Sequence, residues 1–354
     1  MQRRSLLLAT VATAAFPFIG SRLARAQAGG VAGAGSALPR AVYQKWIELA
    51  ASGTNVKVSY EQNGAAAALD QLKNRAIDFA SVDYPRRPAF LREHQLIQFP
   101  TVLTPVVPFV NLPGVAEGQL RLTGELLADI FLGKIAKWDD AKIKAQNDGV
   151  KLPATAIVPV HRLEASGANM LFTTYLSRVS EAWAAGPRAG TTVQWPQGKG
   201  AGVEGLDALA AKVKGTPGAI GYGGVTTVKA NGFTAVLLKN RAGEFVKADH
   251  ASFAKAAEAE DWSTPGFNVD LVDEAVAGAW PILGANFALV PENPTAEKVE
   301  AARNTFKFFD WAFDHGYASA HELGYEGIPK TAIPAVETVW RRAKDPSGRP
   351  IWET

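Results

Sequence analysis

The stretch IVPVHRLEASGANMLFTTYLSRV, residues 157–179, decides the fold of this chain. It begins with a β-branched run that predicts a strand, and the small residues 165–168 then predict a tight turn. Leu171, Tyr175 and Leu176 recur at helical spacing, so a helix follows the turn. The start of a helix carries unpaired N–H groups and a partial positive charge, and it therefore suits an anion.

Two charged side chains precede this turn and leave two interpretations open. Arg162 offers a forked set of donors that matches an oxyanion, and Glu164 follows two residues later. The simpler interpretation is an ordinary helix cap by Ser166 beside a surface Arg162–Glu164 pair. A short motif fits both interpretations, so the rest of the chain has to decide between them.

The first residues predict a signal peptide over residues 1–26. Arg3 and Arg4 precede an apolar segment, and Ala24-Arg25-Ala26 forms a small-residue cleavage site. The arginine pair is typical of a twin-arginine export signal, although a Sec signal can also begin this way. The apolar run is short for a membrane span and is interrupted by Pro17, so we expect a soluble periplasmic protein.

Composition and charge indicate a globular protein and argue against one that binds nucleic acid. The chain has 354 residues, enough for two domains, and an ordinary globular balance of 47% hydrophobic and 20% charged residues. Without residues 1–27, which carry four arginines and no acid, the net charge changes from +3 to −1. No basic tract of the kind that nucleic-acid binding requires is present. Without cysteine, the exported protein must rely on its core rather than on disulfides.

Two further turns resemble the one at 165–168. Small residues at 36–38 and 64–66 each precede a predicted helix, and the strand predicted at 77–82 ends on Asp83. Ligands of open α/β sheets lie beyond the carboxyl ends of the strands. The three turns, Asp83 and Arg162 are therefore predicted to line one anion site. Residues 28–35 are interpreted as a Gly/Ala leader, and the first helix is predicted to begin at Pro39.

The extended segments predict how the chain divides. Residues 100–113 are a buried, proline-interrupted stretch that is typical of a crossover, and residues 280–290 are predicted to return to the first lobe. We therefore expect an α/β protein with lobe I formed by 27–105 plus 285–354 and lobe II by 106–284. Trp138, next to two aspartates, is predicted to be the most surface-like tryptophan and to face a permease.

Several longer strings resemble one known family, the periplasmic phosphate-binding protein of the phosphate ABC importer (PstS type). They run in family order from residue 33 almost to the C-terminus. The matching strings are GAGSALPRAVYQKW at 33–46, NGAA at 63–66, DFASVD at 78–83, LIQFPTV at 96–102, LTGELLADIFLGKIAKWDD at 122–140, VHRLEASGANMLFTTYL at 160–176, GAIGY at 218–222, AWPI at 279–282 and FKFFDWAF at 306–313.

The resemblance implies a fold and a function. The fold is a type II-like binding protein, with two α/β lobes joined by two hinge crossings and a ligand cleft between them. The implied function is capture of inorganic phosphate and its delivery to an ABC permease, with no cofactor, no metal and no nucleic-acid partner. We expect the chain to act as a monomer.

The resemblance also assigns roles to particular residues. The family's arginine falls on Arg162, its supporting acid on Glu164, and the start of its central helix on Ser166 and Gly167. The family's aspartate falls on Asp83. A carboxylate can accept a hydrogen bond only from an oxyanion that carries a proton, as phosphate does near neutral pH and sulfate does not. Like-charge repulsion in a desolvated site would then reject sulfate.

Three hydroxyl positions of the family are alanine here. They are Ala37, which is followed by Leu38, then Ala65 in the second turn and Ala168 in the third. A hydrogen bond to a charged group contributes roughly 1.5–3 kcal/mol, so three losses would cost about 4–9 kcal/mol if they added, which they seldom do. Either nearby donors replace the hydroxyls, or the pocket takes an organic phosphate, another oxyanion or a carboxylate. The candidate replacements are Ser36, Asn63 and Asn169.

A phosphoryl-processing enzyme is a weaker hypothesis for this chain than a binding protein. No G-x-S-x-G or Walker string occurs, and the five histidines have no metal-ligand spacing in the sequence. His161 adjoins Arg162 but should point to the opposite face of its strand, which favours a structural role. A secreted interaction protein that kept the fold and lost transport remains a further alternative.

Overall fold

A computed structural model describes residues 30–353, so the predicted signal peptide lies outside the described residues. Its strands, in chain order, are β1 (Val31–Gly35), β2 (Val58–Gln62), β3 (Phe79–Val82), β4 (Leu96–Pro105), β5 (Val107–Val110), β6 (Arg121–Leu122), β7 (Val158–Arg162), β8 (Ala201–Val203), β9 (Ala219–Gly223), β10 (Thr234–Ala235), β11 (Leu237–Lys239), β12 (Phe245–Val246) and β13 (Leu283–Pro291).

The α-helices connect and cover these strands. They are α1 (Arg40–Gly53), α2 (Ala65–Lys73), α3 (Pro88–His94), α4 (Gly124–Phe131), α5 (Ala141–Lys144), α6 (Gly167–Val179), α7 (Glu181–Ala185), α8 (Leu206–Lys214), α9 (Val225–Asn231), α10 (His250–Glu258), α11 (Val299–His315), α12 (Tyr317–Glu322) and α13 (Ile333–Trp340). None of the helices in residues 30–353 combines the length and apolar content that crossing a bilayer would need.

Two five-stranded sheets organise the described residues. The first lobe is built on the order β2-β1-β3-β13-β4, in which β1 runs parallel to β2 and β3 while β13 is antiparallel to both of its neighbours. The second lobe is built on the order β10-β5-β9-β7-β8, with β7 parallel to β8 and β9. A small third sheet, β12-β11-β6, belongs to the same chain segment as the second lobe.

Strand β1 corrects the interpretation of residues 28–35 as a leader. The segment VAGAG lies between β2 and β3 in the first sheet, although its small residues give no apolar–polar alternation. The small residues are required by close packing, because a Cβ on Gly33 would lie 2.1 Å from the Phe79 ring. Strand propensity reflects packing against neighbours, and here the neighbours supply the bulk.

The two lobes are joined where β4 passes through Val106 into β5 and where the chain returns into β13. These crossings are hydrogen-bonded to each other: the Val106 amide donates to the Ile282 carbonyl (2.9 Å), and Trp280 Nε1 donates to the Val106 carbonyl (3.2 Å). The predicted crossover at 100–113 is therefore confirmed as a passage between sheets. A paired hinge of this kind allows two packed bodies to rotate about a short axis.

The prediction that Trp138 lies at the surface is wrong. Its side chain is fully buried, and its Nε1 donates to the Gly218 carbonyl at 2.9 Å. The indole removes a large apolar area from water while its polar edge keeps a partner, as buried tryptophans usually do. The charged residues that follow Trp138 in the sequence therefore gave no indication that its side chain points into the core.

Candidate anion-binding site

The first lobe brings the two predicted turns and Asp83 to one edge of its sheet. β2, β1 and β3 are parallel neighbours, so the residues that follow them meet at their carboxyl ends. The Ser36 amide donates to the Ser81 carbonyl (3.1 Å), and the Gly64 amide donates to the Gly35 carbonyl (3.0 Å). These two bonds hold the turns beside the end of β3.

The second lobe presents the start of α6. Ser166 is its N-cap, and the Ser166 Oγ accepts from the Asn169 amide at 3.1 Å. Gly167 and Ala168 are the first two helical residues, and both are buried. Amides at such positions point out of the helix and have no partner within it, so they are available to an anion.

Arg162 and Glu164 form a pair, but the pair is not a surface feature. Arg162 Nε donates to Glu164 Oε1 at 2.6 Å, Nη2 contacts the same oxygen, and only 6% of Arg162 is exposed. The Gly205 amide also donates to Glu164 Oε1 (3.0 Å) and fixes the acid. Within residues 30–353, Arg162 Nη1 has no hydrogen-bond acceptor. The cap by Ser166 and the Arg162–Glu164 pair are both present, but Arg162 is buried, so the prediction of a surface pair is wrong. The anion site at this turn stays a prediction.

Asp83 lies at one of the places where the two lobes touch. Its carboxylate lies directly against the start of α6, because a Cβ added to Gly167 would be 1.9 Å from Asp83 Oδ2. Asn286 Nδ2 donates to Asp83 Oδ1 at 2.5 Å, and Asn286 Oδ1 accepts from the Thr104 hydroxyl at 3.0 Å. The cleft is therefore closed around this carboxylate, which is 6% exposed.

Burial sets the electrostatics of Asp83. Loss of hydration raises the pKa of this carboxyl to about 6, and hydrogen bonds from Ser36 and Asn286 together with the Arg162 charge oppose a larger rise. A carboxylate that is buried away from water and has few hydrogen-bond donors is destabilised in its charged form and binds a proton more readily. A ligand that brings its own proton would relieve this destabilisation.

A family model described as "PBP superfamily domain" matches residues 20–314. The "Phosphate-binding protein PstS" of Pasteurella multocida is 39% identical over 92% of this chain and 94% of its own length. The protein of the same name from Haemophilus influenzae is 36% identical over 96% and 98%. The chain belongs to the PstS family of the PBP superfamily.

Solved structures of low identity show the same fold. A high affinity periplasmic phosphate-binding protein (PfluDING), bound with phosphate, superposes with a TM-score of 0.68 at 20% identity, covering 87% of this chain and 93% of that one. A phosphate-binding protein from Stenotrophomonas maltophilia gives 0.66 at 18% identity, covering 87% and 92%. This PstS-family chain thus has the expected two-lobed α/β fold.

The three candidate replacement donors, Ser36, Asn63 and Asn169, already have hydrogen-bond partners. Asn169 Nδ2 donates to the carbonyls of Arg162, Glu164 and Thr191, and its Oδ1 accepts from Tyr222. Asn63 Nδ2 donates to Gln71 Oε1 at 2.9 Å. Asn169 is therefore a support for the Arg162 turn rather than a spare donor. The Ser36 Oγ accepts from the Leu38 amide (3.1 Å), and its proton is directed at the Asp83 carboxylate inside the site.

The three alanines have different surroundings. Ala168 is buried at the start of α6, and Ala65 is half-buried at the start of α2. Ala37 and Leu38 face a groove of about 630 Å³ between the lobes, whose opposite wall includes Gly205 and Thr226. The groove adjoins the first turn and has room for a substituent larger than a bare anion.

Sequence reasoning missed Asn286 and Tyr222. Asn286 lies in β13, 203 residues from the carboxylate that it contacts, and Tyr222 accepts from the Arg162 amide at 3.3 Å. A polar residue inside the apolar strand LGANFALVP was a signal that could have identified Asn286. A buried amide needs partners, so its presence in such a strand indicates a polar contact.

Two of the histidines that show no metal-ligand spacing in the sequence are brought together by the fold, whereas His161 is not. His161 stacks on Trp195 with ring centroids 4.3 Å apart, and burial lowers its pKa to about 4, in keeping with a structural role. His250 and His321, by contrast, come together around Glu326. These two histidines are 71 positions apart in the sequence, so no spacing motif could identify the cluster.

Gly167→Ala should weaken ligand binding at least tenfold without unfolding the protein. The added methyl group would collide with the Asp83 carboxylate and hold the lobes apart, whereas alanine is well tolerated in a helix. Isothermal titration with phosphate measures the effect. The matched control is Gly215→Ala, where a Cβ would meet nothing closer than 3.4 Å. Unchanged affinity in Gly167→Ala would show that this contact is not part of the liganded state.

Proposed function

We propose that this chain captures inorganic phosphate in the periplasm and delivers it to an ABC permease. The names of its relatives and the bound phosphate of its structural neighbour support the ligand class. The observation that carries the proposal is the meeting of Asp83 with the start of α6 beside the buried Arg162. Cationic, amide and carboxylate groups meet there at the contact between the lobes.

Each group would have a distinct role toward the anion. Arg162 supplies positive charge and the donor at Nη1, while Glu164 holds the guanidinium in position. The amides of Gly167 and Ala168 and the Ser166 hydroxyl supply neutral donors at the positive end of α6. Donors aligned before the ligand arrives are not reorganised on binding, which favours affinity.

Asp83 would provide the selection between anions. Its carboxylate accepts the hydrogen bond of a protonated phosphate, and the pair then shares one proton in a dry site. Sulfate brings no proton near neutral pH, so its negative charge would face that of Asp83 without compensation. Specificity here would come from repulsion of the wrong anion as much as from attraction of the right one.

We propose lobe I as residues 27–105 plus 285–354 and lobe II as 106–284, rotating about the paired crossings near Val106. We further propose that the chain is exported by its twin-arginine segment, acts as a monomer and binds its ligand without converting it. The family likeness supports binding rather than catalysis, and size-exclusion chromatography tests the oligomeric state.

Calorimetric titration of the exported protein, stripped of bound ligand, tests the function. Micromolar or tighter binding of phosphate at neutral pH, with no binding of sulfate, is the expected result. A phosphate monoester is the third arm, because the groove beside Ala37 and Leu38 has room for a substituent. Preference for the monoester over phosphate, or absence of phosphate binding by the folded protein, would contradict the proposal.

A further inference from the structure

Three side chains outside the anion site converge at the junction of the lobes. His250 Nδ1 contacts Glu326 Oε2, and His321 Nε2 lies 3.1 Å from Glu326 Oε1. The two imidazole rings are 3.9 Å apart between centroids. The candidate ligand atoms of all three residues lie within 4.8 Å of one another.

The cluster draws on both lobes. His250 is the first residue of α10, which packs on the second lobe through Phe253 and Trp280. His321 is on α12 and Glu326 follows it, within the segment that returns to the first lobe. Any group that binds all three residues therefore links the two lobes beside the hinge.

Glu326 is held rigidly in this arrangement. Its backbone pairs with Leu103 of β4 in both directions, with Leu103 amide to Glu326 carbonyl at 2.8 Å and the reverse bond at 3.1 Å. The Gly327 amide also donates to Glu326 Oε1 at 3.1 Å, and 8% of the side chain is exposed. A carboxylate that is fixed by its backbone and by a second donor is the kind of oriented ligand that metal sites use.

The donor set matches zinc. Two imidazole nitrogens and one carboxylate form a His₂Glu set, and tetrahedral bonds of about 2.0–2.1 Å place neighbouring ligand atoms about 3.3 Å apart. The 3.1 Å separation of His321 Nε2 and Glu326 Oε1 is close to that spacing. The His250 side chain is 56% exposed, so water can reach a fourth position.

We propose that His250, His321 and Glu326 form a binding site for one Zn²⁺ ion that ties the two lobes together beside the hinge. The ion would replace the direct contacts of the histidines with the shared carboxylate and would keep one position for water. The site is separate from the anion-binding residues, and it does not depend on which anion the cleft takes.

Titration of exported, tag-free protein with zinc chloride in phosphate-free buffer tests the site. One Zn²⁺ per chain should bind, and zinc should raise the melting temperature, because a ligand of the folded state stabilises it. His250→Ala and His321→Ala should each weaken binding at least about tenfold, since loss even of outer partners of a metal commonly costs that much. Co²⁺ in the same protein should give the visible absorption of a tetrahedral site, which a simple ion pair would not produce.

The matched control is His315→Ala, which removes an imidazole that stacks on Trp311 away from the cluster. Its zinc affinity should equal that of the wild type. Circular dichroism should show that His250→Ala is folded, because this side chain is largely exposed. Absence of zinc binding by the wild-type protein would overturn the proposal. Binding that survives both His250→Ala and His321→Ala would overturn it equally.

Discussion

Arg162→Ala should reduce phosphate affinity by at least two orders of magnitude. The substitution removes the buried cation of the site and the donor at Nη1, whose partner is not supplied by the described part of the chain. Nη1 carries two N–H groups. Hydrogen bonds to charged groups contribute roughly 1.5–3 kcal/mol each, so the loss of both would cost about 3–6 kcal/mol, or about a hundredfold or more in affinity. The anion would then face Asp83 without a compensating charge. Calorimetric titration with phosphate measures the loss.

Two further variants separate binding from folding. Arg162→Lys keeps the charge but replaces the fork with one point charge, so its affinity should fall between those of the wild type and Arg162→Ala. Arg303→Ala removes an arginine from an exposed pair with Glu300 and should bind phosphate as the wild type does. If Arg162→Ala is folded and retains wild-type affinity, the anion site lies elsewhere.

Asp83→Asn should weaken phosphate binding and allow sulfate to bind. The oxygen of the new amide can accept a hydrogen bond from the ligand, but it lacks the negative charge of the carboxylate, so the bond is weaker. One hydrogen bond to a charged group corresponds to about 10- to 100-fold in affinity. The same change removes the repulsion that excludes an unprotonated dianion. Parallel titrations with phosphate and sulfate measure the two affinities. The control is Asp70→Asn, whose side chain is largely exposed beside Lys73.

The same substitution should stabilise the unliganded protein at neutral pH. Burial raises the pKa of Asp83 from 3.8 to about 6, so between these values the folded state holds a proton that the unfolded state has released. Wild-type stability should therefore fall as pH rises from about 4 to about 6 and should stay lower above that range. The difference at pH 7 has an upper limit of about 3 kcal/mol at 1.36 kcal/mol per pKa unit.

Urea unfolding of both proteins from pH 4 to pH 8, without ligand, measures this difference. The wild type should lose stability across the window, and Asp83→Asn should lose less. Stability curves that run parallel would mean that Asp83 is hydrated in the unliganded protein. A more stable variant that binds phosphate poorly would show that the strained carboxylate is kept for function at a cost in stability.

Much of the site could be predicted because it is assembled from local units. The strand, turn and helix around Arg162 and Ser166 are continuous in sequence, and β-branched runs and small residues mark them directly. Asp83 and the turns after β1 and β2 follow from the rule that parallel strands present their carboxyl ends together. The same local reasoning failed for β1, whose strand character comes from Phe79 packing on Gly33 and not from its own residues.

The sequence by itself predicted the two α/β lobes, the positions of the three turns, and Asp83 and Arg162 as candidate site residues. These predictions depend on short-range patterns in the chain. Only the tertiary structure decided that Asn286 supports Asp83, that Asn169 is fully occupied, and that His250 and His321 share Glu326. The physical reason is that these contacts join segments from different lobes or distant strands. Chain folding sets their distance, and no periodicity in the sequence records it.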